Sequence, residues 1–132
     1  MKKDLIIKNE QPASFSIRSR LRSFRYACEG LNVFFSTQHN AIIHLLLTIA
    51  AFLGAILFKV SKAELITIVI VAGLVWSAEL FNTAIEKLAD LVSKDFDPRL
   101  KFIKDVSAAA VFISAIAAFI TGAIIFIPKI LQ

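Results

Sequence analysis

Residues 65–90 read LITIVIVAGLVWSAELFNTAIEKLAD, and this stretch decides the fold. Thr67 is the only polar side chain before Ser77. Such a run, bounded by charge, reads as a helix spanning a bilayer. Its second half then breaks the pattern with Glu79, Asn82, Glu86 and Asp90. A carboxylate near the middle of a lipid-embedded helix costs roughly 2.5–3.5 kcal/mol on insertion scales, so Glu79 calls for a reason. At 100° per residue, Glu79, Asn82, Thr83, Glu86 and Asp90 fall within an arc of roughly 100°. One helix face therefore carries three carboxylates and an amide over three turns. Two readings follow. The face is a polar seam that ties helices together, or it is a reaction centre at the interface, with Glu79 as general base and a lower carboxylate holding a hard cation. Both can be true at once.

Outward from this run, the chain repeats the same organisation. A first apolar run covers residues 41–58, AIIHLLLTIAAFLGAILF. Its length as a helix is about 27 Å, close to the hydrocarbon thickness. His44 lies near its start, where a headgroup or a neighbouring carbonyl is the ordinary partner for a lone histidine. Residues 59–64 (KVSKAE) form a short polar connection, which can join only antiparallel neighbours. The second span is taken as 65–85, with 86–105 a polar stretch. The third covers 106–127, closed by Pro128 and Lys129. It is rich in alanine and serine, which let helix backbones approach closely in lipid. Lys104 and Asp105 are expected at its start, with Asp105 as its cap and Lys104 as a point charge for a phosphate.

Before the spans, residues 1–14 read as a mobile tail and residues 15–36 as an amphipathic helix on the membrane surface. Ile17, Leu21, Phe24, Cys28, Leu31 and Phe35 recur every three or four positions, and Arg18, Arg22, Arg25 and Glu29 fill another face. The expected architecture is thus all-α integral membrane: three transmembrane helices plus an N-terminal amphipathic surface helix, 15–132 forming a single membrane domain.

Composition agrees. Of 132 residues, 58% are hydrophobic, and mean hydropathy is +0.75. That is more apolar surface than the interior of a soluble domain this small can hide. One cysteine, Cys28, excludes an intrachain disulfide, and it reads as a small buried apolar residue. The net charge of +5 flanks the apolar runs, which points to anionic lipids and orientation rather than nucleic acid. Seven Lys/Arg precede residue 41 and five lie in 87–104, against Lys59, Lys62 and Lys129 elsewhere. The bias predicts a multi-pass protein of the plasma (inner) membrane with a cytoplasmic N-terminus. No signal peptide is read at the N-terminus. With four glycines the chain has no Walker-type or kinase-type glycine loop.

The segment Glu79-Leu-Phe-Asn82-Thr-Ala-Ile-Glu86, with Asp90, Lys104-Asp105 and Ala108-Ala109-Ala110-Val111, resembles the prokaryotic diacylglycerol kinase family, which includes undecaprenol kinases. The likeness extends from about residue 18 to 127. It implies a homotrimer of three-helix chains that transfers the γ-phosphoryl group of ATP to a lipid hydroxyl with Mg²⁺. It implies Glu79 as general base and Glu86 as a metal-binding, nucleotide-contacting carboxylate. Asn82 would orient the site, alongside Asp90, and Tyr26, Lys104 and Asp105 would contact nucleotide. The partners implied are a lipid substrate from the bilayer, anionic lipids and further copies of the chain.

Two positions depart from the pattern. Where the family carries a glutamate as second metal ligand, this chain reads Thr37-Gln38-His39-Asn40. Gln38 keeps a carbonyl oxygen for nucleotide-bound metal but loses the charge, which weakens magnesium binding. An arginine of the family's surface helix falls on Ser19, between Arg18 and Arg20. The competing expectation is a catalytically weakened member that serves as a membrane binding or structural protein.

Overall fold

In the computed structural model, residues 16–131 are described, and four α-helices account for most of them. These are α1 (Ile17–Thr37), α2 (His39–Leu57), α3 (Lys62–Val92) and α4 (Pro98–Ile130). The chain divides into one unit that ends at Val33 and a second that begins at Phe34.

In the first unit the described chain is helical from Ile17, and one ion pair is local: Arg25 Nε lies 2.7 Å from Glu29 Oε1, one turn on. Ile17, Leu21 and Phe24 are exposed. So is Cys28, against the buried position expected of a lone cysteine. The helical spacing sets a face but not a cover. The tail 1–14 lies outside the described residues.

The second unit holds three helices long and apolar enough to cross a membrane, α2, α3 and α4. Residue pairs fix their senses. His44 meets Glu79, Thr48 meets Trp76, and Ala55 clusters with Ile68, so α2 and α3 run antiparallel. Asp90 meets Lys104, Asn82 meets Ser107, and Ile68 clusters with Ile125, so α4 runs back along α3.

Each turn has a local cause. After α2, Lys59 adopts φ 48°, the left-handed step that ends many helices. This lets Val60 N–H reach the Ala55 carbonyl at 3.1 Å. Ser61 then opens α3 with a capping box. Its hydroxyl accepts from Glu64 N–H, and Glu64 Oε2 accepts from Ser61 N–H at 2.6 Å. Asp97 opens α4 by accepting Arg99 N–H at 2.8 Å, with Pro98 in the first turn, where its missing N–H costs nothing.

The observed helices correct three boundaries. The stretch 86–105 is not a long polar connection: α3 continues to Val92 and α4 begins at Pro98. The apolar run measures the hydrocarbon layer, whereas helical hydrogen bonding continues past it wherever side chains permit. Asp105 accordingly caps nothing, because the N-cap is Asp97. Nor does Pro128 close the last helix, which runs to Ile130: its ring removes one N–H, the usual donor to the Ile124 carbonyl, and the helix continues past that gap.

Among the described residues few apolar side chains are buried: Phe34, Ala41, Ala55, Ile68, Val75, Ala89 and Ile125. Leu46, Ile70, Phe112 and Phe119 face outward. In water such a surface drives aggregation. In a bilayer it is solvated by acyl chains, and with backbone bonds satisfied inside each helix the second unit is built as a membrane protein.

Candidate active site

Glu79 is a buried carboxylate, 4% exposed. Left alone, such a charge costs several kcal/mol. It is not alone: its Oε1 lies 2.8 Å from His44 Nε2 on α2. One turn along each helix a second bond crosses the same seam, Trp76 Nε1–H donating to Thr48 Oγ1 at 3.1 Å. Thr48 in turn donates to the His44 carbonyl at 2.7 Å. The Trp76 indole stands edge-on to His44, with centroids 6.4 Å apart, and packs against Phe35 at 5.4 Å and Phe34 at 6.2 Å.

The next turns of α3 face α4. Asn82 Nδ2 donates to Glu86 Oε1 at 3.2 Å. The buried Ser107 hydroxyl lies 2.7 Å from Asn82 Oδ1 and 2.9 Å from the Lys104 carbonyl. Asn82 is thereby held from both ends, and it holds one oxygen of Glu86. Farther on, Lys104 Nζ meets Asp90 Oδ1 at 2.5 Å. The acidic face expected of this helix is therefore a series of cross-links, to α2 through Glu79 and to α4 through Asn82 and Asp90.

Other expected residues stand apart. Asp105 pairs with Lys101 on its own helix and is exposed. Gln38 is the N-cap residue of α2, and its side chain makes no capping bond. Tyr26 is exposed in the first unit. From sequence Ser107 is one small packing residue among several, and His44 a headgroup or carbonyl contact; the structure makes both of them partners of the polar face. His44 stands fourteen residues before Phe58, and Glu79 fourteen after Leu65. Two spans joined by a short turn put equal counts at one depth, so the pairing was legible in the numbering.

Beside His44 opens an apolar cavity of about 450 Å³ between α2, α3 and α4. Ala51, Val75, Ala118 and Phe126 are among its walls, and His44 and Thr48 are two of its few polar linings. Between α3 and α4, the Arg99 side chain holds the Asp97 carboxyl down to about 2, aided by the Arg99 backbone N–H.

Among the described residues no three of His, Cys, Asp and Glu gather as a metal-ligand set. Magnesium is commonly held by one or two carboxylates together with substrate phosphates. Glu86, with one oxygen engaged by Asn82, fits an ion that arrives with a nucleotide better than a caged resident ion.

The family model for prokaryotic diacylglycerol kinase matches residues 25–126. The chain belongs to the prokaryotic diacylglycerol kinase family. A diacylglycerol kinase of Synechocystis sp. is 37% identical over 113 residues, 85% of this chain and 65% of that protein. An undecaprenol kinase of Bacillus subtilis is 34% identical over 109 residues, 83% of this chain and 89% of that protein. The chain thus spans under two thirds of the Synechocystis relative's length. Every expected site residue, and His44 with them, lies inside the region matched to the family.

Proposed function

We propose that this chain is a lipid kinase that transfers the γ-phosphoryl group of ATP to the hydroxyl of a membrane lipid alcohol, diacylglycerol or undecaprenol. The observation that carries the reading is a buried carboxylate bonded to a histidine that itself lines an apolar cavity, in a chain of this family. A lipid alcohol needs both features: apolar space for its chain and a base for its hydroxyl.

In the reaction Glu79 accepts the hydroxyl proton and becomes the carboxylic acid. The lipid oxygen bonds to the γ-phosphorus, the bond to the β–γ bridging oxygen breaks, and ADP leaves. Glu86, with Gln38, would hold Mg²⁺. When bound, that ion neutralises charge on the phosphates. Lys104 exchanges Asp90 for a phosphate oxygen, and the arginines of α1 add positive charge. Tyr26 and Asp105 contact the nucleotide. The chain works as a homotrimer with α1 lying on an anionic cytoplasmic leaflet, the orientation that its lysines and arginines favour.

A second reading draws on Gln38, a neutral residue without a capping bond at the head of α2. In it the chain retains the fold but binds magnesium too weakly to turn over, and acts as a membrane binding or structural protein. One assay separates the two: full-length protein in detergent, radiolabelled ATP, Mg²⁺, and both lipids. Kinase activity predicts a phosphorylated lipid, and Glu79→Gln should lower kcat by at least roughly 10²-fold, the usual contribution of a general base. Equal inertness of wild type and variant on both lipids defeats the kinase reading.

A further inference from the structure

We infer that His44 is the positioning residue of Glu79, fixing which carboxylate oxygen receives the substrate's proton. The inference rests on the kinase reading and goes beyond it, because it assigns a task to a residue that neither the carboxylate pattern nor the phosphate chemistry requires.

To act as a base Glu79 must carry its charge, and an ionised carboxylate can only accept hydrogen bonds, so in that state His44 Nε2–H donates across the 2.8 Å contact. The two side chains are 18% and 6% exposed, which keeps bulk water from competing for the bond. One oxygen, Oε1, is thereby committed to α2, and Oε2 is left for the hydroxyl. Without the histidine the carboxylate is free to turn about its terminal torsion, which is broad for glutamate.

The histidine is itself held. Trp76 lies one turn before Glu79 on α3, and Thr48 lies one turn after His44 on α2. Their hydrogen bond repeats the His44–Glu79 link at the neighbouring level. Two links one turn apart set the register of the antiparallel pair, so that the imidazole meets the acid. The indole edge then fixes the ring's tilt. His44 also lines the apolar cavity, so one side chain touches both the acid and the space suited to a hydrocarbon chain. This is the arrangement of a base oriented by a third group.

The experiment uses the full-length protein in detergent with Mg-ATP and each lipid, comparing wild type, Glu79→Gln, His44→Ala and His44→Gln. His44→Ala should lower kcat roughly 10²-fold, the effect of a misplaced catalytic group, with the nucleotide KM unchanged. His44→Gln should recover most of the loss, because its amide N–H can donate where Nε2–H did. Thermal midpoints of the two variants should differ far less than their kcat values. A purely structural cross-link predicts the reverse, a lowered midpoint with kcat kept. Wild-type kcat in His44→Ala, or a glutamine variant as slow as the alanine variant, overturns the inference and leaves the kinase reading intact. If His44→Ala fails to fold, the glutamine variant decides: near wild-type kcat supports the role, and a folded glutamine variant as slow as Glu79→Gln refutes it. An inert wild type removes the kinase reading and this role together.

Discussion

Lys104 reaches back from α4 to Asp90 at the far end of α3, ammonium to carboxylate at 2.5 Å. The pair closes the α3–α4 hairpin, yet both side chains are substantially exposed, at 38% and 52%. Exposed ion pairs contribute little to stability, so a lysine kept here for stability alone is poorly used. The two roles separate in Lys104→Met. Its thermal midpoint should fall only slightly, while the nucleotide KM rises roughly tenfold or more, the worth of one charge-assisted hydrogen bond. An ATP titration beside a melting curve checks both. A large loss of stability with unchanged KM assigns Lys104 to the hairpin.

Gln38 should be the handicap in metal binding. Restoring a carboxylate by Gln38→Glu adds a negative charge where magnesium affinity depends on ligand charge. The expected outcome is a lower half-saturating Mg²⁺ concentration, with lipid KM unchanged. Titration of Mg²⁺ at saturating ATP gives the answer, and an unchanged midpoint removes Gln38 from the metal site.

Asp97 ties stability to acidity between α3 and α4. Its carboxyl lies near 3.8 when free of structure and is drawn down to about 2 by Arg99. A depressed carboxyl stabilises the fold fully above the unfolded value and loses that contribution as pH falls through the folded one. Between pH 3.8 and about 2 the wild type should therefore lose more thermal stability than Asp97→Asn, which keeps a capping oxygen but has no carboxyl to protonate. Melting curves across that interval test it.

Lys59 occupies a conformation suited to glycine. A non-glycine residue in the left-handed region costs roughly 1–2 kcal/mol, and the added chain entropy of glycine takes back part of that. Lys59→Gly should thus stabilise the α2–α3 hairpin by up to about 1 kcal/mol, seen as a higher thermal midpoint. A lower midpoint means that the lysine side chain itself matters at this turn.

The existence of the helices was legible because hydropathy registers the hydrocarbon layer directly. Their ends were less so. Leu88 and Leu91 extend α3 past the polar boundary, and Phe102 lies in the opening turns of α4, so the 86–105 stretch hid two helix ends within charged sequence. The Asp97-Pro98 pair carried the start signal that was instead assigned to Asp105. In the site, Glu79 stood out because a charge in oil is conspicuous. Its partner did not, since a histidine near a helix start is unremarkable until two antiparallel spans are counted against each other. Ser107 was hidden among similar small residues, and only the fold distinguishes the serine that faces Asn82.

Trp76 is the chain's single tryptophan, and the fold sets its indole against His44, one turn from Glu79. Indole emission from each chain, excited selectively over tyrosine, therefore comes from one place. A lipid alcohol settling beside His44 changes the polarity around that fluorophore before any phosphate moves. The protein is built with an optical probe at its own proposed reaction centre, and occupancy can be followed without attaching a dye.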